Sequence, residues 1–210
     1  MAKVKYGLKN VYYAKITEGT NGAITYGTPK PWPGAVSLSL DAEGELTPFR
    51  ADNMNYWVGS SNNGYSGELE TALTPEDFRT DILAERKDTN GALLEYADAK
   101  PSPFAFLFQV ENDVNATRFV YYYCTATRPS TEANTTEESI EPQTDNLSLT
   151  ASPRPDGLVK ATMDAEGTGY DTWFESVYEP AAQASGNAGG NTGGNAGGNT
   201  GGNTGGNTGN

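Results

Sequence analysis

Of 210 residues, the last 30 carry no charge and no large apolar side chain, so about 180 residues can fold, and these hold all 14 basic and 27 acidic groups, a net charge of −13. With no histidine and a single cysteine, Cys124, the chain cannot build Ser-His-Asp or Cys-His catalysis, a Cys/His zinc site or an internal disulfide. Its Lys and Arg are scattered, the nearest thing to a cluster being Arg86-Lys87, which argues against binding nucleic acid through grouped cations that displace counterions.

The chain opens on Met1 to Tyr6 without the apolar stretch of a secretory signal, and nothing later is apolar over the roughly 18 residues of a membrane span. The expectation is a protein made and kept in a cytoplasm until released, with no membrane partner. Period-two alternation broken by turns predicts strands. In chain order these are Val11 to Ile16, Val36 to Asp41, Glu45 to Ala51, Ser66 to Thr71, Leu93 to Tyr96, Phe104 to Val110, Arg118 to Thr127, Leu147 to Thr150 and Leu158 to Met163. Asn21-Gly22, Asn63-Gly64 and Asn90-Gly91 supply the positive φ angles of tight turns.

One helix is predicted over about residues 75 to 85. Thr74 is placed as N-cap and Pro75 at the first helical position, with Glu76 and Asp77 in the first turn and Phe78, Ile82 and Leu83 on one face. Arg86 and Lys87 would then lie near its negative C-terminal end. A second helical turn is expected around Tyr170 to Val177. The segments Phe104 to Val110 and Arg118 to Thr127, joined as a hairpin by Asn112 to Ala116, are apolar on both faces. They are either central beneath the helix or part of a subunit interface. Cys124 lies in the second of them and reads as a buried, unreactive thiol.

The fold class expected is therefore mainly β: a β-sandwich or open barrel over residues 1–180 with one flanking helix. Residues 181–210, which cycle through Gly-Gly-Asn-Thr or Gly-Gly-Asn-Ala, should form a flexible, disordered tail, because they have nothing to bury against the entropy of ordering.

Carboxylates are the only catalytic groups present in number. Asp41-Ala42-Glu43-Gly44-Glu45, with Asp52 beyond, has the spacing of a calcium loop, but Leu46 stands where that loop needs glycine and the flanks are strands. An acidic turn is the better reading, there and at Asp164 to Gly167. Glu68 and Glu70 share a strand face, as the acids of a glycosidase do, without an aromatic cleft signature. No phosphate-binding glycine loop is present, and the N-x-[ST] triplets at Asn115, Asn134 and Asn146 read as chance matches. No catalytic, cofactor-binding or metal-binding residue is assigned, and no cofactor is expected.

Several blocks in fixed order carry a resemblance. They are Lys5 to Ala14, Pro33 to Glu45, Phe49 to Asn53, and Asn63 to Glu70 leading into the Pro75-Glu76-Asp77-Phe78 helix start. Over residues 1 to about 180 the chain resembles the major tail proteins, or tail tube proteins, of long-tailed bacteriophages of Gram-positive hosts, the phi13-type family. The resemblance implies a non-enzymatic β-sandwich subunit that forms homohexameric rings. Those rings stack into a hollow tube in the virion tail, assembled in the host cytoplasm with tape measure, terminator and initiator proteins. The inner sheets would join into one barrel through which genomic DNA passes, and a long loop or hairpin would reach the next ring.

By order along the chain, the segment from Asp41 to Tyr56 is the candidate stacking loop, with Asp41, Glu43, Glu45, Phe49, Arg50, Asp52 and Tyr56 as its residues. An acidic wall would repel DNA and let it slide, and the Gly-Asn-Thr tail would project outward. The alternative is a carbohydrate-binding or adhesion module of a phage tail or cell surface, which requires Trp32, Trp57 and Trp173 to converge on one exposed face. A carboxylate-dependent hydrolase ranks last.

Overall fold

The computed structural model describes residues 7–20, 22–111, 115–131, 135 and 142–181. The expected flexible tail, Asn21, and residues 112–114 of the hairpin link lie outside the described residues. Chain contacts group Met1–Tyr178 as one unit and Glu179–Asn210 as another.

The strands among the described residues are β1 (Leu8–Glu18), β2 (Ile24–Tyr26), β3 (Lys30–Pro31), β4 (Ala35–Glu43), β5 (Leu46–Ala51), β6 (Met54–Ser60), β7 (Gly64–Thr71), β8 (Arg86–Lys87), β9 (Leu93–Leu94), β10 (Phe104–Val110), β11 (Arg118–Ala126), β12 (Asp145–Ala151) and β13 (Lys160–Met163). Nine of them form one antiparallel sheet in the order β2-β1-β10-β11-β12-β7-β4, with β3 beside β1 and β13 beside β11. β11 is the pivot: Arg118 to Tyr121 pair with β13, while Cys124 to Ala126 pair with β12. One strand thus hands its edge from one neighbour to another, which is how an open sheet turns a corner and folds over itself. The mainly β class with one flanking helix is the one found.

The two apolar faces of β10 and β11 are both used. On one side Phe104, Phe106, Phe108 and Tyr121 pack with Tyr13, with Leu69, Leu147 and Leu149 of β7 and β12, and with the helix. On the other, Ala105, Leu107, Val120 and Tyr122 lie beneath Trp173 and Val177 of the C-terminal segment. Of the two placements open to this pair, the central one is realised. The C-terminal segment is pinned by polar tips: the Trp173 indole N–H donates to the Phe119 carbonyl at 3.3 Å, and the Tyr122 hydroxyl donates to the Tyr178 carbonyl at 2.8 Å. Arg118 lies over the rings of Tyr170 and Phe174, 3.6 and 4.8 Å from their centroids. Large amphipathic rings close a layer well because their apolar bodies bury while their polar ends find partners.

The helix is shorter than its sequence signals. α1 (Glu76–Asp81) starts after Pro75, and Thr74 provides no side-chain cap. Thr74 instead donates its backbone N–H to the Asp145 carboxylate at 2.8 Å, and its hydroxyl is buried without a partner. The C-terminus closes because Ala84 takes φ +60 and the Glu85 N–H turns back to the Arg79 carbonyl at 3.1 Å. Arg86 and Lys87 consequently pair in β8 and do not extend the helix. Phe78, Ile82 and Leu83 are buried on one side as expected. The helical turn expected around Tyr170 to Val177 is a run of turns, with Trp173 N–H bonded to Tyr170 O and Ser176 N–H to Thr172 O. The strand expected over Leu93 to Tyr96 shrinks to two residues, and the one expected from Leu158 begins at Lys160.

Candidate functional site

Two surfaces stand out, and one long hairpin contributes to both. β4 and β7 pair from Ala35↔Thr71 to Glu43↔Gly64. Past that point the same two chain segments continue as β5 and β6, paired from Leu46↔Ser60 to Ala51↔Met54. Asp52 and Asn53, at φ 49 and 60, close the end as a turn with two successive positive φ angles. The ladder bridges the junction through Ser61 N–H to Glu45 O at 3.0 Å and Asn63 N–H to Glu43 O at 2.8 Å. Gly44 is required there, since a Cβ would stand 2.1 Å from the Ser61 carbonyl oxygen. Gly64, expected in a tight turn, instead opens β7 at φ 101.

The β5–β6 arm packs on itself and on no other element to a comparable extent. Leu46, Phe49, Met54, Tyr56, Trp57 and Val58 are 50 to 73% exposed. Phe49 faces Trp57 across the strands, while Pro48 faces Val58 on the opposite side, so both faces of the arm are apolar. The Trp57 indole lies over Gly59, where an added Cβ would come within 2.4 Å of the ring. A free two-stranded hairpin is marginal in water, and exposed apolar surface of this size marks a contact region.

The second surface is the outer face of β4, β7, β12 and the end of β11. Leucines 38, 40, 69, 147 and 149 point into the core, so the residues between them point out. The registers set them in rows: Ser37, Glu70 and Asn146; Ser39, Glu68 and Ser148; Asp41, Ser66, Thr150 and Thr125. Glu70 accepts hydrogen bonds from Ser37 at 3.0 Å and from Thr144 at 2.9 Å, and Glu43 accepts one from Ser66. These rows hold carboxylates, hydroxyls and one amide, with no Lys, Arg or large apolar side chain. The C-terminal segment covers the neighbouring β10–β11 stretch of this same side and leaves these rows bare.

The residues proposed from sequence therefore divide between the two surfaces. Asp41 is on the sheet face, Glu43 and Glu45 are at the junction, and Phe49, Arg50, Asp52 and Tyr56 are on the arm. Sequence reasoning missed the returning strand with Met54, Trp57 and Val58. Its signals were Asp52-Asn53, suited to a two-residue turn, and the apolar run that follows.

The three tryptophans do not converge. Trp32 is buried in the layer beneath the helix, its N–H on the Thr71 hydroxyl at 3.1 Å; Trp173 is buried in the opposite layer; and Trp57 is exposed on the arm. Cys124 is buried, and burial pushes its thiol pKa well above the usual range. Among the described residues, no group of three or more His, Cys, Asp or Glu is placed to hold a metal, and no helix is long and apolar enough to cross a membrane.

The exposed apolar arm, continuous through β4 and β7 with the acidic sheet face, marks a subunit built to contact other protein. The chain belongs to the phage tail tube protein family, whose match spans residues 1–183. It is a structural protein of the phage tail, of a family that self-assembles into a tube with other tail components. No curated protein sequence matches it. Among solved structures it is similar to the cryo-EM structure of an anti-feeding prophage tube-terminating cap, with 13% identity and a TM-score of 0.39 over 79% of this chain and 96% of that chain.

Proposed function

We propose that the protein forms hexameric rings that stack into the tail tube, with the outer face of β4, β7 and β12 lining a conduit for genomic DNA. The observation that carries this reading is the continuity of that bare acidic face with the bare apolar arm in one hairpin. Asp41, Glu68 and Glu70 repel the polyanion, the hydroxyls between them present no cation or apolar ledge, and DNA slides without being held. Among the described residues β4 has a hydrogen-bonded neighbour on one side, β7, and its other edge is available for pairing with an adjacent copy in the ring.

The arm, from Glu45 through Tyr56 to Ser60, reaches the next ring. That contact is head-to-tail and does not close, so its product is a filament. Assembly takes place in the host cytoplasm with tape measure, initiator and terminator proteins, and residues 1–180 are sufficient for the wall.

Negative-stain microscopy of the concentrated protein tests the reading. Rings and tubes are expected from the full chain and from a chain truncated after Pro180. Single rings or free subunits are expected when Leu46 to Ser60 is replaced by a short Asn-Gly turn. A full chain that stays monomeric at high concentration, or an armless chain that still makes tubes, would sink it.

A further inference from the structure

β4 is finished on one side. Its inward residues Leu38 and Leu40 are only half-buried, whereas Leu69 of β7 and Leu147 and Leu149 of β12, in the same layer, are buried. The far edge of β4 therefore lacks apolar cover, and among the described residues no strand pairs with it. Along that edge Leu38 and Leu40 turn inward while Ser37, Ser39 and Asp41 turn outward.

The segment that precedes β1 carries the complementary pattern. In Ala2-Lys3-Val4-Lys5-Tyr6 the apolar Val4 and Tyr6 alternate with two lysines. Five extended residues span about 17 Å at ~3.4 Å each, the length of Ser37 to Asp41. The chain also arrives at the right place and in the right direction. β1 runs antiparallel to the stretch leading into β4: Tyr12 and Tyr13 pair with Pro31 and Lys30, and the Trp32 N–H donates to the Val11 carbonyl at 2.7 Å. Leu8 to Tyr12 and Pro31 to Ala35 then line one shared depression. Gly7 takes φ 84, a bend beside β1 that glycine makes without strain. On the outward side of the β4 edge, Asp41 and Glu43 supply the charge opposite to Lys3 and Lys5.

We propose that in the unassembled subunit Ala2 to Tyr6 lies antiparallel along the far edge of its own β4, and that it has to leave before an adjacent copy can pair there. Tyr6 and Val4 then sit beside Leu38 and Leu40, and Lys5 and Lys3 beside Ser39 and Asp41. A slip of one residue would turn both lysines into the apolar layer, so the alternation fixes the register. The docking stands on the subunit alone; its use as a restraint rests on the ring reading. A bare edge strand invites unguided pairing, and a tethered strand of the same chain covers it at a high effective concentration. If the edge is covered about nine-tenths of the time, the competent fraction is about one-tenth and the concentration needed for rings rises about tenfold.

The test uses the full chain carrying both Lys5→Cys and Ser39→Cys, with Cys124 buried and out of reach. Residues directly opposite in an antiparallel pair have Cα atoms about 4.5 to 5.5 Å apart, within the reach of a disulfide. Mild oxidation of the dilute subunit should give an internal disulfide, seen as a faster band in a non-reducing gel, and neither single variant should give one. The oxidised double variant should form no rings until it is reduced. A chain lacking Ala2 to Tyr6 should form rings at about one-tenth of the usual concentration. Failure of the dilute double variant to close internally, or disulfides formed only between copies, would overturn the docking. Rings from the oxidised form, or an unchanged threshold in the shortened chain, would overturn the restraint. Unmodified chains that never form rings would remove the ring reading and the restraint together, and the internal disulfide would still decide the docking.

Discussion

Replacing Glu68 with lysine tests the acidic wall most directly. Glu68 is exposed in the middle of the sheet face, flanked across the strands by Ser39 and Ser148, and its side chain has no hydrogen bond among the described residues. The substitution should change subunit stability by no more than about 0.5 kcal/mol, as exposed replacements usually do. In the proposed six-membered ring its electrostatic effect is multiplied by symmetry: each subunit goes from −13 to −11, and the ring gains on the order of 12 charges on this face. If each of about six lysines meets a phosphate, binding acquires a salt slope near −5, so affinity changes by roughly 10³ between 50 and 200 mM salt. Assembled tubes of Glu68→Lys should retain DNA at low salt and release it at high salt, and phage carrying them should deliver their genome poorly. Asp77→Lys makes the same charge change on α1, which packs on the opposite side of the sheet with Leu38 and Leu69, and should do neither. If Glu68→Lys tubes hold no more DNA than Asp77→Lys tubes, the face does not line the lumen.

Other outcomes follow from the packing. Phe78 is fully buried against Tyr13, Trp32 and Phe104, with ring centroids 4.3 to 5.2 Å away, so Phe78→Ala should cost about 3 to 5 kcal/mol in urea unfolding. Arg118→Met removes the cation from between Tyr170 and Phe174 and its hydrogen bond to the Tyr170 carbonyl, and should cost about 2 kcal/mol. The expected readout is faster proteolysis within the 164–178 segment. Burial raises the Tyr121 phenol to about 12 from an ordinary value near 10. A raised folded value means the group stabilises fully below pH 10 and loses that contribution between about 10 and 12, so alkaline unfolding should fall in that window with phenolate absorbance appearing cooperatively. The Cys124 thiol should react with a thiol reagent only after unfolding.

What could be read from the sequence was the part of the fold with one wet and one dry side. Leu38 and Leu40, or Leu147 and Leu149, alternate with polar residues because one face packs in the core, and these strands were found where expected. The arm escaped because both of its faces are exposed. With no buried side there is no alternation, and Pro48, the bulge at Phe49 and the run Tyr56-Trp57-Val58 do not read as a strand until the partner is known. The helix start was misjudged for a tertiary reason. Thr74 has the chemistry of a cap, but Asp145, far along the chain, holds its backbone N–H and takes it out of capping geometry. The acidic face was equally hidden, since the row Ser39, Glu68, Ser148 joins three distant segments and exists only once two registers are set.

Those registers tie the wall to the arm. A slip of one residue between β4 and β7 would invert every side chain of one strand. Glu68 and Glu70 would then point into the layer of Leu147 and Phe106, at a cost of several kcal/mol for each uncompensated charge. Leu38 opposite Leu69 opposite Leu147 therefore fixes, from inside the core, which acids face outward. The constraint extends past Glu43, because β5 and β6 are the same two chain segments carried on through the Ser61 to Glu45 and Asn63 to Glu43 bonds. The register that turns Glu68 outward also decides which side of the arm bears Phe49 and Trp57. A subunit that has formed its core correctly has, by the same act, oriented both of the surfaces it presents to assembly.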